Sequence, residues 1–270
     1  MNGSTTSTGA PRRLVVTGAA SGIGQALATR LAGAGHDVIG VDRVTDGVPA
    51  GAQALRCDIT DAEAVAATLD RISSAGPIDG LAAVAGVPGT APASTVYAVN
   101  IVGLRRLTEA LVPLVRRGGA LVLLSSMAGY RGAATDDEAD ELLALPDREF
   151  GDRLAAAKLD GPEAYQLSKR LVHRYATLLA ARLHPAGVRC LSVSPGPVRT
   201  PILADFRATM PSLDLAGELV GRHADPGEIA AIVEFALSPD ASWLNGVDLR
   251  ADGGLGALRV IQKSDSLIAN

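Results

Sequence analysis

The sequence predicts an α/β fold: a single domain whose doubly wound, seven-stranded parallel sheet is flanked by helices. Three observations carry this. Short apolar runs rich in Val, Ile and Leu alternate with stretches of helical periodicity. The runs are apolar throughout rather than at every second residue, the pattern of strands buried on both faces. A glycine-rich turn at 17–24 joins the first run to the first helical stretch.

The elements follow in order. Residues 12–17 (RRLVVT) read as a buried strand ending at Gly18. Ile23, Leu27 and Leu31 recur at helical spacing across 23–34, and Gly35 ends that helix. Residues 37–42 (DVIGVD) form the second strand, and the third ends at Cys57-Asp58. A helix over 61–74 is capped by Thr60 or Asp61. Residues 79–84 (DGLAAV) are the fourth strand. One long helix is predicted over 95–117, kinked at Pro113. Residues 119–125 (GALVLLS) form the fifth strand, and 162–184 a helix with Pro162 near its start. Strands at 188–193 and 246–250 enclose a helix over 226–237. Each crossover is expected to be right-handed.

Residues 1–11 are small and polar and read as a disordered tail. The domain spans 12–254, with an insertion at 131–161, a lid at 201–225 and a C-terminal tail at 255–270 that docks on a neighbouring subunit or hangs loose. Residues 131–164 carry ten Asp/Glu against four Lys/Arg and contain two short amphipathic helices broken near Pro146. Such a segment is either a solvated acidic excursion or the wall of a site or subunit contact.

Composition removes several classes. With 47% apolar and 20% charged residues the chain is not disordered, and a net charge of −4 argues against general nucleic-acid binding. No run approaches the roughly 20 apolar residues of a membrane span. MNGSTTSTGAPRR has no apolar stretch before its arginines, so no secretory signal is expected and the protein is placed in the cytoplasm. Cys57 and Cys190 read as free thiols of a reducing compartment. His36, His173, His184 and His223 lack metal-ligand spacing, and no metal is expected. His173 and Trp243 read as packing residues, Trp243 alternatively as a subunit contact.

The turn at 17–24 (TGAASGIG) places Gly18, Gly22 and Gly24 between a strand and a helix. Glycines let the backbone approach a pyrophosphate, and the helix N-terminus with Ile23 presents free N–H groups to it. Asp42 ends the second strand, 18 residues past Gly24. A carboxylate there accepts hydrogen bonds from a ribose 2′-OH and repels a 2′-phosphate. Arg43 follows and is suited to a phosphate; Ser21, before the second glycine, is not basic. Charge opposition from Asp42 favours NAD(H) over NADP(H). Asp58 is placed to meet an adenine edge with Ile59 against the ring, or else to cap a helix with Thr60.

Tyr165 and Lys169 lie four apart at the start of a helix, on one face. An ammonium near a phenol stabilises the phenolate, so the Tyr can exchange protons with an alcohol or carbonyl oxygen. Ser125-Ser126 end a central strand, where parallel sheets place ligands.

With TGAASGIG (17–24), Asp42, Asp58, AVAG (83–86), Asn100, SSMAG (125–129), Tyr165-x-x-x-Lys169, SPGPVRT (194–200) and DGG (252–254), the chain resembles the short-chain dehydrogenase/reductase family over residues 12–254. The resemblance implies a Rossmann fold and roles for each position. Tyr165 is the general acid/base, Lys169 tunes it and binds the nicotinamide ribose, and Ser126 orients the substrate oxygen. Asn100 holds a water linking Lys169 to solvent. Pro195, Gly196 and Val198 contact the nicotinamide, and Thr200 its carboxamide or a phosphate. Two departures stand out. Ala83-Val84 replace a usual Asn-Asn, while Ala85 and Gly86 keep the small size needed beside adenosine. The 39 residues from Ser126 to Tyr165 far exceed the family's usual spacing. That insertion resembles a branch of bacterial 3α-hydroxysteroid dehydrogenase/carbonyl reductases and coniferyl-alcohol-dehydrogenase-like relatives, which suggests a homodimer or homotetramer.

In the family the segment after the nicotinamide loop is the substrate lid. Leu203 and Phe206 there, with Val87, Met127 and Tyr130, are expected to line an apolar pocket. Arg207 and Arg222 leave room for an anionic substrate. The implied activity is NAD(H)-dependent interconversion of a hydrophobic secondary alcohol, steroid or aromatic, and its ketone. Two other readings stand beside it: an NADPH-linked reductase of acyl or polyketide substrates, and a catalytically silent nucleotide-binding regulator.

Overall fold

The computed structural model describes residues 10–201, 203 and 217–268, with side chains to 261. Seven parallel strands form one sheet: β1 (Arg13–Thr17), β2 (Asp37–Asp42), β3 (Gln53–Arg56), β4 (Ile78–Ala83), β5 (Val115–Leu124), β6 (Arg189–Pro195) and β7 (Asp248–Ala251). Their order is β3-β2-β1-β4-β5-β6-β7. The chain winds outward from β1 in one direction, then restarts at β4 and winds in the other. The carboxyl ends of β1 and β4 thus bound a topological switch point, where such sheets bind ligands. The register aligns Thr17 with Ala83, and Ala83 with Leu123, so these ends open onto one crevice.

Alternate residues of β1 feed opposite cores. Leu14 and Val16 pack with Leu27 and Leu31 of α1 (Gly22–Gly33) and Ile229 and Val233 of α8 (Pro226–Leu237). Val15 joins Ile72 of α2 (Ala62–Ser74), Leu107 of α4 (Leu104–Leu111) and Val172 of α7 (Gly161–Leu183). Burying each such aliphatic side chain contributes about 1.5–3 kcal/mol. Among the described residues no helix is long and apolar enough to cross a membrane.

Three expectations are corrected. The single helix over 95–117 is instead α3 (Ala93–Tyr97), a π turn (Ala98–Gly103) and α4, which ends at Leu111. Pro113 lies in a 3₁₀ turn (Val112–Leu114) and stops the helix rather than kinking it, because it lacks an N–H donor. The chain enters β5 at Val115, with a register shift opposite Ile78 and Gly80. Second, the C-terminal tail forms a helix, α9 (Leu255–Ile268), seated through buried Leu255. Third, Trp243 is 98% exposed, so it is not packed among the described residues. The tail at 1–9 and lid residues 202 and 204–216, Phe206 among them, lie outside the described residues.

The acidic insertion folds as α5 (Asp136–Ala144) and α6 (Asp147–Ala156), parted at Leu145-Pro146. Thr135 and Glu138 close a capping box on α5. Its carboxylates meet arginines of the core. Arg174 of α7 grips Asp140 through two bonds of 2.6 Å, and Arg170 pairs with Asp136. Arg105 of α4, 7% exposed, donates to the Leu143 and Leu145 carbonyls and to Asp147, and lies over the Phe150 ring. The insertion therefore covers the outer faces of α4 and α7.

Candidate active site

The loop from β1 to α1 is built backbone against backbone. Gly18 and Gly22 have φ of +69° and +54°, the left-handed region that favours glycine. A Cβ on Gly18 would lie 3.0 Å from the Ala85 backbone, and one on Gly24 only 2.1 Å from the Gly18 carbonyl oxygen. Thr17 Oγ1 accepts from the Val84 and Ala85 amides at 2.9 and 3.0 Å, tying the two sides of the switch point. Sequence reasoning gave Thr17 no role of its own. Ser21 caps α1 with extended backbone and no side-chain capping bond. The amides of Gly22, Ile23 and Gly24 find no acceptor among the described residues. This cradle fits a pyrophosphate: open donors, a helix-dipole end and no Cβ in the way.

Asp42 accepts from the Ala20 amide at 3.0 Å and the Val44 amide at 3.2 Å, which hold its carboxylate at the end of β2. Asp58 accepts from the Thr60 amide and hydroxyl, and these bonds, with Arg43 nearby, hold it below the usual carboxylate range. Asp61, not Thr60, caps α2. Ile59 is turned inward: a Cβ on Gly103 would lie 2.9 Å from its Cγ1. It is a core residue of the π-turn contact rather than an exposed platform.

Tyr165 and Lys169 sit in the first turns of α7, which starts with Pro162 and a capping box between Asp160 and Glu163. Both are almost fully buried, 7% and 3% exposed. Tyr165 shares a hydrogen bond with the Ser126 side chain. Lys169 Nζ donates to the Leu124 carbonyl at 2.9 Å and lies 5.8 Å from the Tyr165 ring centroid. Burial pushes the Tyr165 phenol up to about 12 and the Lys169 ammonium down to about 8. Desolvation dominates both shifts. The Tyr stands as a proton-bearing phenol, and the Lys is poised to lose its charge near neutrality.

Asn100 is fully buried in the π turn. It accepts from the Val87 amide at 2.8 Å and donates to the Val87 carbonyl at 2.9 Å. A Cβ on Gly86 would lie 3.3 Å from its Oδ1 and 3.6 Å from Lys169 Nζ, so Asn100 sits behind Gly86, off the cleft wall.

These parts border one open cleft with a cavity volume of about 220 Å³. The glycine loop, Ala85, Gly86 and Val87 line it from β1 and β4; Ser126, Met127, Tyr165 and Lys169 from β5 and α7. Pro195, Gly196, Val198, Thr200 and Leu203 line it from beyond β6. Thr200 faces the glycine loop: a Cβ on Gly22 would lie 3.2 Å from its Cγ2. Asp42, Arg43, Asp58 and Ile59 are not on this wall; they lie at or just beyond the ends of β2 and β3.

Two sequence expectations move. Tyr130 is off the cleft: its hydroxyl donates to Asp248 at 2.6 Å, and the Arg250 guanidinium covers its ring at 4.0 Å. Its neighbour Arg131 lines the cleft instead. Arg222, a candidate for an anionic substrate, is closed by two bonds of 2.6 Å to Glu228. Arg207 lies outside the described residues. Sequence reasoning also missed Arg259 of α9, a second guanidinium on the wall.

A switch-point cleft with an anion cradle, a carboxylate closing β2 and a buried Tyr–Lys–Ser group defines a Rossmann-type oxidoreductase that binds a nicotinamide cofactor. Comparison with known proteins narrows the class, and the chain belongs to the short-chain dehydrogenase/reductase family. The short chain dehydrogenase family model matches residues 12–136, and the enoyl-(acyl carrier protein) reductase model matches 154–256. The chain is 32% identical to coniferyl-alcohol dehydrogenase of Pseudomonas sp. (strain HR199 / DSM 7063), over 92% of this chain and 98% of that protein. It is 32% identical to 3-alpha-hydroxysteroid dehydrogenase/carbonyl reductase of Comamonas testosteroni, over 91% and 96%. The structure of the 3-alpha-hydroxysteroid dehydrogenase from Pseudomonas sp. B-0831 complexed with NADH superposes with a TM-score of 0.77. That comparison has 33% identity and covers 92% of this chain and 98% of the other.

Proposed function

We propose that this chain is an NAD(H)-dependent oxidoreductase that interconverts a hydrophobic secondary alcohol, steroid or aromatic, and its ketone. The observation that carries the reading is the buried Tyr165–Lys169 pair, with Ser126, facing one cleft that the glycine loop also lines. Val87, Met127 and Leu203 offer the substrate apolar contacts. The relatives named above support the class, since one is named for an aromatic alcohol and two for hydroxysteroids.

Each residue has a task. The Tyr165 phenol donates its proton to the ketone oxygen during reduction and accepts it back from the alcohol during oxidation. Ser126 holds that oxygen beside the phenol. Lys169, anchored on the Leu124 carbonyl, stabilises the phenolate left after proton transfer. Asn100 keeps Val87 and Gly86 in place against Lys169 and holds the water of a proton relay. When bound, the nicotinamide supplies the hydride donor or acceptor. The glycine loop and α1 amides hold its pyrophosphate, while Pro195, Gly196, Val198 and Thr200 fix its ring.

Asp42 and Asp58 set the preference for NAD(H): both carboxylates repel a 2′-phosphate, and the charge of Arg43 is already offset by Asp58. The chain acts in the cytoplasm as a homodimer or homotetramer, and the exposed Trp243, Phe235 and Val247 support a contact with a second copy.

The test is absorbance at 340 nm with NAD+ or NADP+ and a panel of 3α-hydroxysteroids and aryl alcohols, beside Tyr165→Phe. NAD+-dependent turnover that vanishes in Tyr165→Phe is the expected result. Turnover that survives in Tyr165→Phe overturns the role of the phenol, and NADP+ preference overturns that of Asp42.

A further inference from the structure

Beyond the reacting group, two structural units approach the cleft from neighbouring directions. One is the 3₁₀ turn Met127–Arg131 after β5, the other the first turns of α9. They touch: a Cβ on Gly256 would lie 3.7 Å from Met127 Cε. Each brings an apolar residue and, four positions on, an arginine: Met127 and Arg131, Leu255 and Arg259. All four line the cleft.

The arginines stand out in two ways. Arg105, Arg174 and Arg222 each close on a carboxylate. Arg131, which is exposed, and Arg259, which is half-buried, line the cleft with no hydrogen-bond acceptor or ion-pair partner among the described residues. Furthermore, the charged residues of the described wall are Arg131, Arg259 and Lys169, with no carboxylate. Partial burial, and after it the Arg131 charge, lower the Arg259 pKa, while Asp252 opposes this. Asp252 is itself engaged by the amides of Gly254 and Gly256. Two guanidiniums that face one cleft, with no carboxylate on its described wall, make that wall attractive to an anion.

That anion is not the cofactor pyrophosphate, whose cradle follows β1. Arg131 follows β5 and Arg259 follows β7, two and four places along the sheet. We infer that Arg131 and Arg259 form a carboxylate subsite, so that the substrate is an apolar hydroxy acid or keto acid with its anionic group remote from the reacting carbon. This rests on the reading of Tyr165 and Ser126 as the reacting end. Guanidinium forks match a carboxylate in shape as well as charge.

The test is calorimetric titration of the protein with saturating NADH, using cyclohexanecarboxylate and cyclohexanecarboxamide, which share the ring while only the first carries a negative charge. Charged hydrogen bonds of this kind lead us to expect the carboxylate to bind about 10- to 100-fold more tightly. R131Q/R259Q should erase that preference and R131K/R259K should keep part of it, the lysine pair also reporting that the fold survives. Equal affinity for the two ligands in the unaltered protein overturns the inference, as does a preference unchanged in R131Q/R259Q. Turnover separates the two proposals. Carboxylate preference without oxidation of any secondary alcohol leaves the subsite standing and removes the proposed reaction. Oxidation of neutral alcohols without carboxylate preference does the reverse.

Discussion

Ser125 and Lys169 are joined in a reciprocal lacing of β5 to α7. Ser125 Oγ donates to the Lys169 carbonyl at 2.8 Å, while Lys169 Nζ reaches back to the carbonyl of Leu124 at 2.9 Å. The two bonds fix how far α7 stands from the strand that carries Ser126. The pair thereby helps set Tyr165 of α7 against Ser126. Ser125→Ala removes one bond inside the protein and is expected to cost about 1 kcal/mol of stability. It should also lower kcat more than it raises KM, because Tyr165 loses register with its partner. Thermal unfolding together with steady-state kinetics checks both; unchanged kcat would assign Ser125 to stability alone.

Lys169→Met tests the electrostatics. Burial holds Tyr165 at about 12 and Lys169 at about 8, so the pair gives up its first proton near 8. Alcohol oxidation needs that proton gone, and its rate should rise with pH through about 8. Ketone reduction needs it present and should fall over the same range. In Lys169→Met the phenol loses its nearby cation, the rise near 8 should vanish, and oxidation at pH 7 should drop about 100-fold or more. A retained inflection near 8 would place the titrating group elsewhere.

Asp42→Ser removes the carboxylate that the Ala20 and Val44 amides hold at the end of β2. Loss of a hydrogen bond to charge costs about 1.5–3 kcal/mol. The kcat/KM for NAD+ should fall by roughly 10- to 100-fold. That for NADP+ should rise, as the repulsion of a 2′-phosphate by Asp42 is relieved. A ratio of the two cofactors that does not move would mean that Asp42 serves the loop and not the ribose.

The sheet and most of the site were legible because their signals are local. Strands buried on both faces are apolar at every position, as in 119–125, and the glycine turn needs its glycines at fixed places. Pro113 was seen, but helical periodicity continued past it and concealed the strand that begins at Val115. Tyr130 and Arg131 show a different difficulty. On a 3₁₀ turn adjacent residues point about 120° apart, so placing the turn beside the cleft does not decide which one enters it. The tyrosine was drawn away by Asp248 and Arg250, both on β7, more than a hundred residues along the chain. Arg259 was missed for the same reason: its position follows from the docking of α9 through Leu255, a tertiary contact.

His173, one turn beyond Lys169, links the site to β7 and makes stability depend on pH. Its Nε2 lies 2.7 Å from Ser194 Oγ and 3.6 Å from Asp248 Oδ1, and its ring is tilted at 47° to that of Tyr130, with centroids 4.7 Å apart. Asp248 in turn accepts from Ser192, Ser194 and Tyr130. Burial lowers the His173 pKa. Asp248 opposes that shift, and Arg170, Lys169 and Arg250 add to it. The folded protein therefore binds this proton less readily than the unfolded chain, whose His titrates near 6.5. The stability contributed by neutral His173 is complete above that value and is lost as pH falls below it. The melting temperature should drop between pH 7.5 and pH 5.5. In His173→Asn, which keeps a hydrogen bond to Ser194 and cannot titrate, the drop should be smaller, although the variant is less stable at pH 7.5. Parallel melting curves for the two proteins across that range would show that other groups carry the acid sensitivity.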